Sequence, residues 1–366
     1  MAGLRGAMRA TKAIVRRSAL THNLERARAL APAGRVMAVI KANAYGHGAI
    51  EVARTLAPEV DAFAVAILEE AIELRKAGVE SPVLILEGVE GDHDLHEALA
   101  RNCWLMMHRE SSVKRLCETR LEEKATVWLK YDTGMHRLGM DRAATVKALE
   151  RLAAQPQVQG APVLCTHLAC ADDQESRTTP GQISAARELA KKHRLPLSAA
   201  NSAGVLFWPD SHADWNRPGY MLFGNCPSGH PDPSSVGLQP AMRLVSEIMA
   251  LRHLRPGESV GYGQRWTARR PTLIGTIPIG YGDGYPRHAP DGTPVFIRGA
   301  RAPLAGVVTM DMITIDLTDV GGVEVGEPVE LWGENVSVNE VAKHAGTIGY
   351  ELLAGLTRRV PLKYVD

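Results

Sequence analysis

The densest chemical signal in the sequence is the string VIKANAYGHGA at 39–49. A short apolar run leads straight into Lys41, and a small-residue loop follows before a helical pattern that begins near Gly48. A lysine amine at the edge of an apolar interior loses hydration. That disfavours its charged form, lowers its pKa and makes the amine nucleophilic. This is the chemistry of a Schiff-base lysine. A lysine at a strand end also fits a snorkelling side chain whose stem covers apolar surface; the Asn-Ala-Tyr-Gly-His-Gly that follows tips the reading toward chemistry. Other chemistries find less support. The five cysteines (Cys103, Cys117, Cys165, Cys170 and Cys226) are odd in number and form no CxxC pair. Neither a metal site nor a disulfide framework is indicated, and free thiols are expected. The glycine-rich GYGDGYPR at 280–287 fits neither the P-loop nor the dinucleotide spacing.

The elements that must position Lys41 can be read around it. Eight short apolar or β-branched runs recur at 35–41, 61–67, 82–87, 103–107, 125–131, 162–168, 196–201 and 215–222. Between them lie helical patterns such as LEEAIELRKAG (68–78), AATVKALERLAAQ (143–155) and GQISAARELAKKH (181–193). Eight such units predict parallel βαβ crossovers and a closed (β/α)8 barrel of the TIM type, in preference to an open doubly wound sheet. In such a barrel the C-terminal strand ends form the mouth of the site, which is where Lys41 falls. After about residue 235 the texture changes to RLVSEIMAL, PTLIGTIPI, TPVFIRG, DMITIDL and PVELWG, separated by Gly, Pro and Asp turns. No helix-length pattern intervenes before VNEVAKHAGTIGYELLAGL at 338–356. The expected α/β chain therefore has a barrel domain over 1–235 and a mainly β C-terminal domain over 236–366, with roughly the first 15 residues free to join the latter. The stretch at 9–31 reads as a strand entering a helix.

Composition agrees with two globular domains. A length of 366 residues suggests roughly two domains and is enough to bury a core without staples. Hydrophobic residues at 45% and charged residues at 23% are ordinary globular values. With 42 Lys and Arg against 41 Asp and Glu, the formal charge of +1 gives no strong field for nucleic acid or an anionic membrane. No apolar stretch approaches the roughly 18 residues of a transmembrane helix. The first 24 residues hold Arg5, Arg9, Lys12, Arg16 and Arg17 and no acidic residue, but lack the apolar block of a secretory signal. A cytoplasmic protein is expected.

AVIKANAYGHG resembles the pyridoxal-phosphate signature of alanine racemases. LKYDTGMHRLGM (129–140), THLACAD (166–172), ANSAG (200–204), RPGYMLFG (217–224), VGYGQRW (260–266), GYGDGYPR (280–287) and VVTMDM (307–312) follow in that family's order. Each string is weak alone; together they are specific and span nearly the whole chain. The resemblance implies that Lys41 carries pyridoxal 5'-phosphate and serves as one of two proton-transfer bases. Racemisation needs acid/base groups on opposite faces of the α-carbon, because one group on one face returns the same enantiomer unless it swings around. The second group is implied to be Tyr262, supplied by the β domain of a partner subunit, so that a homodimer shares its active sites. A free tyrosine has a pKa near 10; to act as a base it needs cationic or hydrogen-bonding neighbours, and His167 is the implied partner.

The same resemblance assigns further residues. Arg217 would face the cofactor's ring nitrogen, and an arginine that is never deprotonated keeps that nitrogen unprotonated and the ring a weaker electron sink. Tyr45, Ser202, the backbone N–H groups of Gly219 and Tyr220, and Tyr350 would grip the phosphate. Ser202 also suits the N-cap of the short helix that NSAG opens. Arg137 would bind the substrate carboxylate, and Met310 of the other subunit would line the substrate site with Asp311 beside it. Lys130 holds the position that is carbamylated in some members. Asp172 and Tyr281 match residues at the substrate entrance, and His136 stands where many members have Asn or Gly. The implied activity is interconversion of L- and D-alanine for peptidoglycan. Alternatives are a broad-specificity amino-acid racemase on the same scaffold and a non-catalytic cofactor-binding protein, although such relatives usually lack the β domain. A decarboxylase on the related barrel would place a carboxylate where Arg217 stands.

Overall fold

A computed structural model describes residues 9–227 and 233–366. Residues 1–8 of the expected N-terminal segment, Arg5 among them, lie outside the described residues. Chain contacts divide into two compact units. One comprises Leu20–Leu222 with Val236–Leu238; the other comprises the described residues up to Ala19, those of 223–235, and Gln239–Asp366.

Strand β1 (Lys12–Arg16) leads into the helix Arg17–Leu30, as the sequence predicts. The barrel follows. Its strands are β2 (Arg35–Val39), β3 (Ala62–Val65), β4 (Val83–Ile85), β5 (Cys103–Met107), β6 (Val127–Lys130), β7 (Val163–Cys165), β8 (Leu197–Ser198) and β9 (Trp215–Asn216). All pair in parallel and close through Arg35 opposite Trp215. Each of the eight predicted runs supplies one strand. Strands buried on both faces read as near-continuous apolar runs, which is why they were legible. The predicted helices appear at Leu68–Lys76, Arg142–Ala153 and Thr178–His193.

Side chains alternate along a strand, so one row of each barrel strand points inward. Met37, Val39, Ala62, Ala64, Leu84, Met106, Trp128, Val163, Cys165 and Trp215 form one buried cluster there. Near the strand starts the Trp104 ring stacks on Trp128 at 6.2 Å and meets Trp215 edge-on at 5.4 Å. The Arg35 guanidinium lies 4.2 Å from the Trp215 ring. That end is a packed floor. Two residues further along the same inward rows, Val39 gives way to Lys41, Trp128 to Lys130, Cys165 to His167 and Trp215 to Arg217. The row that is apolar at the floor is basic at the mouth.

The second unit holds β1 and all later strands: β10 (Met242–Glu247), β11 (Ala250–Leu254), β12 (Ser259–Val260), β13 (Trp266–Thr267), β14 (Thr272–Ile277), β15 (Pro294–Ile297), β16 (Ala300–Pro303), β17 (Ile313–Asp316), β18 (Pro328–Trp332) and β19 (Leu362–Val365). Its six-stranded sheet runs β16-β15-β18-β10-β1-β19, with β1 antiparallel to β10 and parallel to β19. A three-stranded sheet runs β11-β14-β17. Two patterns resolve differently from the sequence expectation. RLVSEIMAL is cut into β10 and β11, which belong to different sheets. The long helical pattern at 338–356 becomes two helices, Val338–His344 and Gly349–Ala354, with Gly346 between them at φ 71°. A left-handed glycine cannot continue a right-handed helix. Among the described residues no helix is long and apolar enough to cross a membrane.

Candidate active site

Lys41 leaves the end of β2 on an unusual backbone. The next four residues, Ala42, Asn43, Ala44 and Tyr45, have φ of 51°, 53°, 54° and 51°. They form one turn of left-handed helix where the sequence predicts a loop. Such a conformation costs about 1–2 kcal/mol per L-residue, so the surroundings must hold it. Ala44 N–H donates to Ile40 O at 2.8 Å and Gly46 N–H to Ala42 O at 3.1 Å. The Asn43 carboxamide oxygen accepts from Ala49 N–H at 2.9 Å, tying the turn to the helix Ala49–Leu56. Glu70 accepts from Ala42 N–H at 2.6 Å and from Ala66 N–H at 2.8 Å. Buried His47 has its pKa pushed down to about 4 by burial, and its Nδ1–H donates to Tyr45 O at 2.9 Å.

Burial, and next the charge of Arg137, lower the pKa of Lys41, while Glu87 and Glu70 pull the other way. Burial brings Lys130 down to about 8. His167 is held well below its ordinary value by burial and by the charges of Lys130, Arg217, Arg137 and Lys41. It is neutral near pH 7. Buried Arg217 donates to the Ser198 hydroxyl and, at 2.6 Å, to Thr166 O. Those acceptors are neutral, so its charge is left for the barrel interior.

Ser202 differs from one expectation. The N-cap of the helix Ser202–Phe207 is Asn201, whose side-chain oxygen accepts from Gly204 N–H at 2.9 Å. The Ser202 hydroxyl oxygen instead accepts from Gly219 N–H at 2.9 Å and from Met221 N–H at 3.3 Å. Tyr45 is pushed above its ordinary pKa by burial and by Glu70, so its phenol stays protonated and can donate. A Cβ at position 219 would lie 2.6 Å from the Tyr45 hydroxyl oxygen. Only glycine leaves the space in which Tyr45, Ser202 and this backbone converge. A cluster of hydroxyl and N–H donors beside Lys41, Lys130, Arg137 and Arg217 suits a ligand carrying a phosphate and a further anionic group.

Tyr262, Tyr281, Met310 and Tyr350 lie in the β unit. Tyr262 sits in a short turn between β12 and β13, next to Gly261 at φ 78° and Gly263 at φ 68°, and is 76% exposed. Tyr281 and Met310 are exposed on two loops stitched together by Tyr281 N–H to Thr309 O at 3.0 Å and Gly282 N–H to Met310 O at 2.9 Å. A Cβ at Gly280 would come within 2.2 Å of Thr309 O. Beneath the stitch, fully buried Asp283 accepts two bonds of 2.6 Å from Arg9 and faces Arg359 at 3.1 Å, while Arg359 reaches Asp311 at 2.7 Å. Tyr350 is half-buried at the start of the helix Gly349–Ala354.

Residues 15–227 match the alanine racemase N-terminal domain, and residues 241–364 match the alanine racemase C-terminal domain. The chain belongs to the alanine racemase family. It is 46% identical over 364 residues to the alanine racemase of Alteromonas mediterranea, covering 98% of this chain and 99% of that one. The biosynthetic alanine racemase of Escherichia coli K12 is 44% identical over 360 residues, covering 98% and 100%. Among solved structures, the biosynthetic alanine racemase of Pseudomonas aeruginosa superposes with a TM-score of 0.94 at 44% identity, covering 98% and 100%. The chain is thus a member of a family of isomerases, with the two-domain architecture of barrel and β unit.

The family motif around Arg137 has its own support. The Asp132 carboxylate accepts from the N–H groups of Gly134, Met135 and His136 at 2.9, 3.0 and 3.1 Å. His136 itself is left-handed at φ 56°, a conformation that Gly, Asn and Asp adopt most readily. Asp172 is exposed on the loop beyond His167, next to Ala171, whose carbonyl accepts from the Trp208 indole at 2.8 Å. Sequence reasoning missed Gln182. This buried residue accepts from Ala169 N–H at 2.9 Å and donates to Thr133 Oγ1 at 3.2 Å and His167 O at 3.1 Å, joining the loops of Arg137 and His167. It also missed Glu70 and Asp283. Glu70 is indistinguishable in sequence from any acid in a helix's first turn, and Asp283 from an ordinary turn residue.

Proposed function

We propose that this chain is a pyridoxal-phosphate-dependent alanine racemase that interconverts L- and D-alanine as a homodimer with shared active sites. The observation that carries this reading is the Lys41 amine at the barrel mouth, its pKa lowered by burial and by Arg137. The donor set fits the cofactor: Tyr45, Ser202 and the backbone at Gly219 and Tyr220 would hold the phosphate, with Tyr350 completing the grip, and Arg217 would face the ring nitrogen. Bound there, pyridoxal phosphate would supply an aldehyde for amine chemistry and a ring that spreads the charge left at the α-carbon.

The chain's own groups do the rest. Arg137 pairs with the substrate carboxylate and fixes which way the α-hydrogen points. Lys41 Nζ, neutral more readily than an ordinary lysine, takes or returns the proton on one face. Tyr262 of the partner subunit serves the other face through its hydroxyl oxygen. Neutral His167 can hydrogen-bond that phenol without placing a competing positive charge beside Lys41. Arg217, permanently charged, keeps a proton off the ring nitrogen and restrains charge delocalisation, which favours return of the proton to the α-carbon over transamination. Met310 of the partner subunit, with Asp172 and Tyr281 at the entrance, limits the space beyond the substrate methyl.

The homodimer reading draws support from Tyr262. At 76% exposed, it has none of the desolvated, donor-rich surroundings that a phenolic base requires. A second copy would supply them. Cytoplasmic residence is supported by the odd number of cysteines and their lack of any CxxC spacing. Circular dichroism of L-alanine incubated with the protein, with and without added pyridoxal phosphate, tests the activity. The ellipticity should decay to zero with cofactor present; an unchanged signal would overturn the reading.

A further inference from the structure

We infer that Glu70 is a positioning residue: its carboxylate clamps the left-handed turn Ala42–Tyr45 and thereby sets the spacing between the Lys41 amine and the Tyr45 hydroxyl. The inference rests on the reading of these two side chains as cofactor-holding groups. Left-handed residues other than glycine normally occur singly, and four in succession persist only where the surroundings over-determine them. Ala44 N–H, later in the turn, is satisfied by Ile40 O at 2.8 Å. The turn's first N–H, that of Ala42, points out of it to one Glu70 oxygen at 2.6 Å. The other Glu70 oxygen takes Ala66 N–H at 2.8 Å, just beyond the end of β3. One carboxylate therefore staples the start of the strained turn to the neighbouring strand end. Its negative charge also favours the protonated forms of Lys41 and Tyr45.

The geometry restricts what can replace it. Both Glu70 oxygens accept, so a glutamine could satisfy one N–H and would turn its own NH2 toward the other. The strain arises at Cβ, so glycine does not suffer it. Ala42 is exposed, and removing its methyl leaves no cavity. A glycine at 42 should therefore lessen the need for the clamp. A merely structural Glu70 would give no such rescue.

The experiment compares holoenzyme of the wild type, Glu70→Gln, Glu70→Ala, Ala42→Gly and the Glu70→Ala/Ala42→Gly double variant. Hydrogen exchange of the peptide covering 40–48, the rate of cofactor loss after dilution, and kcat and KM for alanine are read on each. Both Glu70 variants should exchange about tenfold faster in that peptide, the equivalent of roughly one hydrogen bond. They should shed cofactor several-fold faster and lose kcat more than they gain in KM. The double variant should recover most of each loss relative to Glu70→Ala. Wild-type exchange and cofactor retention in Glu70→Gln, the variant nearest in shape, would overturn the clamp, as would a double variant no better than Glu70→Ala. If the wild type binds no cofactor and leaves alanine unchanged, it is the functional reading that fails, and the exchange measurements still decide the clamp.

Discussion

The two units prepare their chemical groups in opposite ways. At the barrel mouth Lys41, Lys130 and His167 have their protonation set by burial and by neighbouring charge, and buried Arg217 is fixed by hydrogen bonds to Ser198 and Thr166. In the β unit Tyr262, Tyr281 and Met310 are exposed at 76%, 40% and 52%, the latter two on loops bonded to each other. Preset electrostatics need a low-dielectric surround, whereas a surface loop can fix only position. The proposed shared site calls for both kinds of surface. Replacing Lys41 with alanine tests the enclosed half most severely. Activity should fall by at least about 10³-fold with loss of the cofactor's visible absorbance, since on the proposed reading one amine both holds the cofactor and moves a proton. Colour persisting on another lysine would break the comparison.

Tyr262→Phe probes the exposed half and should differ in kind. Cofactor absorbance should remain while racemisation drops by about 10²–10⁴-fold, the usual worth of a proton-transfer group. Mixing the inactive Lys41→Ala and Tyr262→Phe proteins under conditions that exchange subunits should restore about a quarter of wild-type activity, because half the dimers then contain one intact site of two. No recovery after demonstrated subunit exchange would mean that each chain completes its own site.

The scaffold beneath the exposed loops predicts a smaller effect. Asp283→Asn keeps shape but leaves Arg9 and Arg359 without their buried carboxylate. The loss of stability should fall below the roughly 3–5 kcal/mol seen for fully buried pairs, because the arginines are 29% and 43% exposed. Burial raises the Asp283 pKa, but the Arg9 hydrogen bonds, the Gly280 N–H and the two guanidinium charges outweigh it, so the folded value lies below 3.8. Its stabilisation is therefore complete above that value and is lost as the pH falls through the folded pKa. Denaturant titrations at pH 7 and below pH 4 should show the variant's deficit shrinking in acid. A deficit independent of pH would remove the charge from the explanation.

What the sequence reveals follows from the same contrast. Parallel strands buried on both faces leave apolar runs, and all eight barrel strands lie within the runs read at 35–41 through 215–222. The motif residues were legible because their types are chemically demanding. The left-handed turn was not, since Lys-Ala-Asn-Ala-Tyr contains two of the best right-handed helix formers, and the bonds made by Glu70, Asn43 and His47 that hold the opposite hand leave no local pattern. Gln182 and Asp283 were hidden for a related reason. Their roles are defined by partners far away in sequence, at Thr133 and His167 for one and at Arg9 and Arg359 for the other. The two-residue strands β12 and β13 that flank Tyr262 are too short to carry any period.

The smallest predicted effect concerns a charge on the edge of the enclosed half. Glu87 raises the pKa of Lys41, opposing burial and Arg137. Because Glu87 is exposed, solvent and salt weaken its influence. Glu87→Gln removes a negative charge that favours the protonated amine, so the Lys41 pKa should fall further and the acidic limb of the pH profile of kcat should move to lower pH. The displacement should be small, clearest at low ionic strength, and should fade as salt rises toward 1 M, where the screening length is about 3 Å. The same substitution should leave the basic limb in place, since Glu87 acts on Lys41. A shift of both limbs together would show that the enclosed and exposed halves titrate as one coupled system.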